Sequence, residues 1–461
     1  MIQISIPECI RMVNGMKLIG PDGGMIRGVS IDSRKEQKGR LFVPLKGERF
    51  DAHEFVPQAI ENGATAVLWQ LDRPLPDGVR KDVTYIGVDD TLIALQQLAK
   101  AYRQMLSVTI IGVTGSNGKT STKDMIAAVL KENHTVQKTE GNLNNHIGVP
   151  LTLLQLEKTT QYAVVEMGMS DIGEIRLLAE IAAPQMGVIT NIGEAHLEQL
   201  GSRERIAQAK FELIECLTAK DTAILQGDEP LLRSLATHSE ASVIWFGFTD
   251  GNDVRATDVQ ANGLKGSMFR VKGTDMRFRL PVPGRHQVSN ALSAIAIGRL
   301  IGLSDEQIAT GLANVTLTGM RFEVQPGRFG GQVINDAYNA SPTSMRAALH
   351  TLAGITEADL KVAVLGDMLE LGPDAARLHW EVGRLAGELG IDRLLIIGNH
   401  AADMRDGALA GGMTSESILA RDSAADVIPI LEEWLKEADH PVVLVKASRG
   451  MKLETVARAL I

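Results

Sequence analysis

Lys119 and Thr120 follow a turn of small residues, Gly115-Ser-Asn-Gly118, and that turn follows Val108-Thr-Ile-Ile-Gly-Val113. The β-branched run predicts a buried strand. Beyond the turn, Met125, Ile126, Val129 and Leu130 recur at helical spacing. Strand, glycine turn, Lys-Thr and helix together make a phosphate cradle. Amides at a helix start attract an anion, and Gly115 and Gly118 let the main chain approach it closely. Lys119 adds a point charge, and the Thr120 hydroxyl suits the Mg2+ that accompanies a triphosphate. The general phosphate-loop pattern has glycine where this chain has Val113. The plain alternative is a βα turn with a solvated lysine, but two glycines and three hydroxyl residues in one turn favour nucleotide binding.

Other residues could serve the same chemistry. Glu166 ends the apolar run Tyr162-Ala-Val-Val-Glu166, where an uncompensated buried carboxylate would be costly; it reads as a metal ligand or as a surface charge. His196 follows Thr190-Asn-Ile-Gly-Glu-Ala. Mg2+ prefers oxygen, so taken alone His196 reads as structural. Lys210 sits in a helical pattern, Ile206-Ala-Gln-Ala-Lys-Phe-Glu-Leu213, where a lone lysine reads as solvated. Arg321 has the fixed charge and planar donors that suit phosphate. Asp336, Lys446 and Arg449 fall at predicted strand ends, and with Arg321 they suggest a largely cationic face.

Positioning these residues requires strands alternating with helices. Residues 1–106 predict a small α/β domain, with strands at 64–69 and 83–88 and helices near 54–62 and 91–105. Residues 107–316 predict a second domain, with strands at 108–113, 162–166, 187–191, 222–225 and 242–246. Short β runs follow at 254–282, then a small-residue helix near 290–302. Leu317-Thr-Gly-Met-Arg-Phe322 reads as a linker. Residues 317–461 predict a third, α/β domain with apolar strands at 333–337, 361–366, 394–398 and 442–446. Such alternation implies mostly parallel sheets, whose ligand sites lie outside the strand C-termini.

The chain has 461 residues, too many for one core, and 44% are apolar, enough for several. The net charge of −9 argues against nucleic acid as the main partner. It also repels nucleotides, although screening confines that field to roughly 8 Å at physiological salt. Local cations, amides and metal ions must therefore do the binding. The opening, Met1-Ile-Gln-Ile-Ser-Ile-Pro-Glu8, lacks the design of a secretory signal, and no apolar run reaches membrane-spanning length. Only Cys9 and Cys216 occur. A cytoplasmic protein, with no membrane insertion, is expected.

Gly112-Val-Thr-Gly-Ser-Asn-Gly-Lys-Thr120 resembles the ATP loop of the Mur ligases, the amide-forming enzymes of peptidoglycan precursor synthesis, in which the position of Val113 need not be glycine. Further segments extend the resemblance along the chain. They are Asp32-Ser-Arg34, Phe42-Val-Pro-Leu-Lys-Gly-Glu48, Gly141-Asn-Leu-Asn-Asn-His-Ile-Gly-Val-Pro150, Glu166-Met-Gly-Met169 and Thr190-Asn-Ile-Gly-Glu-Ala-His196. The last third adds Asp336-Ala-Tyr-Asn-Ala-Ser-Pro342, Leu365-Gly-Asp-Met-Leu-Glu-Leu-Gly372 with His379, and Lys446-Ala-Ser-Arg449. These late motifs are similar to those of the branch that adds D-alanyl-D-alanine. Ala52, Gln287 and Ala447 stand where the family usually has glycine, asparagine and glycine.

The resemblance implies a UDP-substrate domain, a central ATPase domain and a C-terminal Rossmann-like domain. It implies ATP and Mg2+, with UDP-N-acetylmuramoyl-tripeptide and D-alanyl-D-alanine as substrates, a monomer, and a part in cell-wall growth and division. Gly115, Ser116, Asn117, Gly118, Lys119, Thr120 and Ser121 would wrap the phosphates. Thr120, Glu166 and His196 would serve the metal, joined by Lys210 if carbamylated. Asn290 and Asp336 would lie near adenine and ribose, and Arg321 would reach the γ-phosphate. Ser33, Arg34, Lys46 and Gly47 would meet the uridine nucleotide, Asn142 and Asn145 the muramoyl-peptide, and Lys446 and Arg449 the substrates on closure. Two alternatives remain open. A sibling ligase adding diaminopimelate or lysine would typically carry Asp-Asn-Pro-Arg, which does not occur here. A non-catalytic nucleotide switch would bind without releasing phosphate.

Overall fold

Apolar β-branched runs become strands throughout the chain, and polar, capped runs become helices. The structure, a computed structural model, describes residues 1–47, 50–76 and 78–461; Glu48, the end of one motif, lies outside them. The described residues gather into two compact units. The first is Met1–Gly112 with His134–Met169 and Gly173–Met186; the second is Val113–Asn133, Ser170–Ile172 and Gly187–Ile461. The first and last of the divisions fall inside the strands Thr109–Thr114 and Met186–Ile189.

In the first unit a sheet runs in the order Met16–Ile19, Thr84–Val88, Ala66–Gln70, Leu41–Phe42, Val29–Ser30. All neighbours are parallel except the edge strand Met16–Ile19. Thr84–Val88 is buried throughout, as expected for a parallel strand covered on both faces. Phe42, Val56, Val67, Trp69 and Tyr85 form its core. The helix Thr91–Gln104 starts where Asp90 accepts from the Ile93 amide at 2.9 Å, a side-chain N-cap. It ties the N-terminal residues to the later segment: the Tyr102 hydroxyl donates to the Leu156 carbonyl at 2.8 Å and Arg103 to that of Ala182 at 2.9 Å. In that segment Val136–Lys138 and Tyr162–Glu166 pair in parallel.

In the second unit Thr222–Gln226 and Ser242–Gly247 pair in parallel, and Val254–Ala261, Ser267–Val271 and Arg277–Leu280 follow as an antiparallel meander. The small-residue helix runs Arg285–Leu300, starting earlier than its apolar pattern predicts. Gly284, at φ +105°, precedes it, and the polar Arg285-His-Gln opening hides the true start. No helix or strand lies between Asp305–Ala313 and Glu323–Pro326. The last sheet runs Glu323–Pro326, Gln332–Asn335, Pro441–Lys446, Leu360–Gly366, Arg393–Ile397, Ile418–Arg421. It is parallel apart from Glu323–Pro326, with apolar clusters on both faces. Asp336, Lys446 and Asp367 therefore stand at the C-terminal ends of three adjacent strands. The edge strands Met16–Ile19 and Glu323–Pro326 escape sequence reading because they carry no buried run.

Candidate active site

The phosphate-type loop is shaped by what surrounds it. Gly115 has φ +146°, and a Cβ there would sit 1.9 Å from the Thr190 hydroxyl. Gly118 has φ +79°, and its Cβ would sit 2.6 Å from Asn290 Oδ1. Both positions require glycine on conformation and on space. Val113 is buried inside the strand, so valine there leaves the loop unaffected. Asn191 holds the loop from the next strand's end: its carbonyl accepts from the Ser116 amide and its Oδ1 from the Asn117 amide, both at 3.0 Å. The Gly193 amide donates to Ser116 Oγ at 2.9 Å. The amides of Ser116 and Asn117 are thus engaged here, and those of Thr120 and Ser121 fall in the first turn of the helix Lys119–Lys131, where intrahelical acceptors are lacking. Lys119 Nζ donates to the Gly115 carbonyl at 2.9 Å, folding its charge over the loop.

Residues 190–196 connect this loop to the last third of the chain. Ser341 Oγ donates to Asn117 Oδ1 at 3.0 Å. The Glu194 carboxylate accepts from the Thr343 amide at 3.2 Å, from the Thr343 hydroxyl, and from Arg346 at 2.7 Å. Burial alone would raise its pKa, but Thr343 and Arg346 outweigh it and hold the carboxyl below its usual range. His196 Nδ1 lies 2.7 Å from Glu370 Oε2. His196 at φ +65° and Glu370 at φ +62° both take a left-handed backbone unusual for residues with side chains. Sequence reading missed the Glu370 partnership, although Glu370 lies in a motif it singled out.

Lys210 is buried, at 2% exposure, on the helix Arg203–Glu215; the solvated reading of a helix lysine does not hold. Burial first, and then repulsion from Lys119, push its pKa well below the ordinary lysine value, which favours the neutral amine. Glu166 is likewise buried, with Asn144 Nδ2 donating to its Oε1 at 2.9 Å. Asn144 was not singled out by the sequence; Asn142 and Asn145 were. Asn145 Oδ1 accepts from the amides of Ile147 and Gly148, at 3.2 and 2.9 Å, so its oxygen shapes the turn before the helix Gly148–Leu154. The Asn142 carbonyl accepts from the Asn144 amide at 2.8 Å.

The cationic face expected in the last third is largely compensated. Lys446 is buried, and its Nζ donates to Asp336 Oδ2 at 2.6 Å and to the Asn339 carbonyl at 3.0 Å. Arg449 lies 3.2 Å from Glu454. Arg321 stacks on Tyr338, 3.8 Å from the ring centre. A cation placed in a low-dielectric strand end needs such a partner. Asn290 Nδ2 donates to Gln287 Oε1 at 3.0 Å, so glutamine at 287 still orients Asn290. A Cβ on Gly366 would lie 2.7 Å from that of Ala447, so a glycine opposite makes room for Ala447.

Ser33, Arg34, Lys46 and Gly47 follow the C-terminal ends of the parallel strands Val29–Ser30 and Leu41–Phe42. Arg34 forks onto Asp32 at 2.8 and 3.0 Å and lowers that carboxyl to about 2. Ser33 Oγ donates to Gln58 Oε1 at 2.7 Å. The Gly47 amide donates to the Phe50 carbonyl at 2.9 Å, and the backbones of Lys46 and Asp51 pair as an isolated antiparallel β-bridge. Ala52 opens the short helix Ala52–Phe55 without a positive φ, so its position makes no demand for glycine.

Thr120 and Glu166 offer buried oxygen donors, the kind Mg2+ takes. Among the described residues no three His, Cys, Asp or Glu side chains gather as an all-protein metal cage. Mg2+ shared with substrate phosphates needs only one or two protein ligands, and the Thr120 hydroxyl and the Glu166 carboxylate each have the oxygen chemistry for that.

Three family models match the chain: Mur ligase family, catalytic domain, over residues 25–103; Mur ligase middle domain, over 113–298; and Mur ligase, glutamate ligase domain, over 320–456. The UDP-N-acetylmuramoyl-tripeptide–D-alanyl-D-alanine ligase of Bacillus subtilis is 45% identical over 100% of this chain and 99% of its own length. That of Escherichia coli is 35% identical over 100% and 99%. Crystal structure I of MurF from Acinetobacter baumannii superposes with a TM-score of 0.89 at 32% identity, over 99% of this chain and 98% of that one. MurF from Thermotoga maritima in complex with ADP gives 0.80 at 30%, over 94% and 96%.

Proposed function

The chain belongs to the Mur ligase family, and from that premise we propose that it uses ATP to join D-alanyl-D-alanine to UDP-N-acetylmuramoyl-tripeptide in the cytoplasm. The observation that carries this reading is the loop at 115–121, with its two obligatory glycines and with Lys119 and Thr120 at a helix start, in a chain alike along its whole length to ligases of that name. No helix among the described residues is long and apolar enough to cross a membrane.

A carboxylate is a poor electrophile, so the tripeptide carboxylate must first be activated. It attacks the γ-phosphate in line; the bond to the β-phosphate oxygen breaks, giving an acyl phosphate and ADP. The dipeptide amine then attacks the acyl carbon, loses a proton and expels phosphate. Lys119 and Arg321 neutralise charge where two anions meet, with Gly115 to Ser121 around the phosphates and Asn290 and Asp336 at the nucleoside. Ser33, Arg34, Lys46 and Gly47 hold the uridine nucleotide, Asn142 and Asn145 the muramoyl-peptide, and Lys446 and Arg449 approach from residues 317–461. Thr120, Glu166 and His196 would hold Mg2+, which would supply Lewis-acid stabilisation of the transferring phosphoryl group when bound. Lys210, as a neutral amine, can add CO2 and release a proton to become a carbamate, an oxygen donor for metal.

The test is phosphate release from ATP with the UDP-tripeptide, with and without D-alanyl-D-alanine. Sustained release is expected only with both, and Lys119→Ala should abolish it while the protein stays folded. Nucleotide binding without release would identify a switch instead; turnover with diaminopimelate or lysine replacing the dipeptide would identify the sibling ligase.

A further inference from the structure

We propose that Asp124 is a positioning residue for Arg321: it fastens the start of the 317–322 linker to the helix that carries Lys119 and Thr120. The proposal rests on the reading that Arg321 meets the nucleotide. Asp124 is buried on the helix Lys119–Lys131, one turn beyond Thr120. Its Oδ2 accepts from the Thr318 amide at 2.7 Å and from the Thr318 hydroxyl at 2.9 Å, across 194 residues of sequence. Two donors from one residue onto one carboxylate oxygen make a strong, directional tie.

The chain beyond Thr318 is held in a conformation it would not choose. Met320 has φ +59° and Phe322 φ +53°, so Arg321 lies between two left-handed residues that carry side chains. Such geometry persists only where surrounding contacts impose it. Those contacts include three carboxylates: Asp124 on Thr318, Glu323 Oε2 on the Met320 amide at 3.0 Å, and Asp336 Oδ1 on the Phe322 amide at 3.1 Å; of these Asp124 alone stands on the phosphate-loop helix. Three residues reach at most roughly 10 Å. Fixing Thr318 on the phosphate-loop helix therefore keeps the Arg321 backbone within that radius of a point on the helix, whatever the rest of 317–461 does. Without the tie, the arginine loses its reference to the loop.

Asp124 also lies 3.7 Å from the buried Lys123, so substituting it could destabilise the helix for an unrelated reason. The decisive variant is therefore Thr318→Val, which removes the hydroxyl donor from a partly exposed linker residue. Steady-state kcat and KM for ATP are measured on the full chain in the native and Arg321→Ala backgrounds, with the thermal midpoint as a fold control. Thr318→Val and Asp124→Asn should lower kcat about tenfold, the equivalent of one charge-assisted hydrogen bond, and Thr318→Ser should restore it. In the Arg321→Ala background Thr318→Val should change kcat by less than about twofold. Equal losses in both backgrounds, or no loss in the native one, would overturn the positioning role and leave Arg321's own role standing. A silent Arg321→Ala would instead remove the reading of Arg321, and the proposal with it.

Discussion

Lys210 shows how far burial can change what a residue does. In water its amine would be protonated at neutral pH. Buried beside the influence of Lys119, it is biased towards the neutral form and so towards nucleophilic chemistry with CO2. Lys210→Ala should lower turnover by at least about a hundredfold, the scale of a group acting on transition-state charge. Added acetate should recover part of the loss by supplying the missing carboxylate. Lys210→Arg, permanently charged, should not be rescued. Phosphate release measured with and without acetate decides it; full activity in Lys210→Ala would remove Lys210 from the site. His196 teaches a related lesson: its Nδ1 lies against Glu370, a carboxylate–histidine pairing that orients the ring.

Among the elements, the loop between Thr109–Thr114 and Lys119–Lys131 is the most exacting. Gly115→Ala must find room for a Cβ 1.9 Å from the Thr190 hydroxyl, at φ +146°. Thr190 donates to the Asn117 carbonyl, so it cannot retreat without loosening the same loop. The substitution should destabilise the protein by about 1–3 kcal/mol and raise the KM for ATP. Thermal unfolding and ATP titration check this; an unchanged midpoint would show the loop to be looser than its contacts indicate. By contrast, Ala52, Gln287 and Ala447, the departures from family pattern, each sit in an ordinary conformation or a compensated contact, and none should impair activity by itself.

For the whole molecule, a net charge of −9 must bind two polyanionic substrates. Local cations are partly neutralised already, Lys446 by Asp336 and Arg449 by Glu454, so in the proposed reaction metal ions are expected to carry much of the compensation where the two anions meet. Excess chelator should therefore abolish phosphate release. It should leave UDP-tripeptide binding nearly intact, because Ser33, Arg34, Lys46 and Gly47, proposed to hold the uridine nucleotide, belong to the first unit and would use protein donors alone. Calorimetry of UDP-tripeptide binding alongside the release assay checks both halves; turnover surviving in chelator would refute the metal requirement.

The strand–glycine–Lys-Thr–helix order at 108–130 and the apolar strands of the last third were legible in the chain itself, because hydrophobic period and glycine placement are local properties. So was the family, through motifs such as Leu365 to Gly372. What residues 190–196 hold was not: the partners of Glu194 and His196 lie about 150 residues or more away, and only folding selects them. The burial of Lys210, the pairing of Lys446 with Asp336, and the hold of Asp124 on the linker have the same origin. Charge and reactivity depend on which groups share a dry environment, and that is set by packing, whereas period and turn chemistry are written residue by residue.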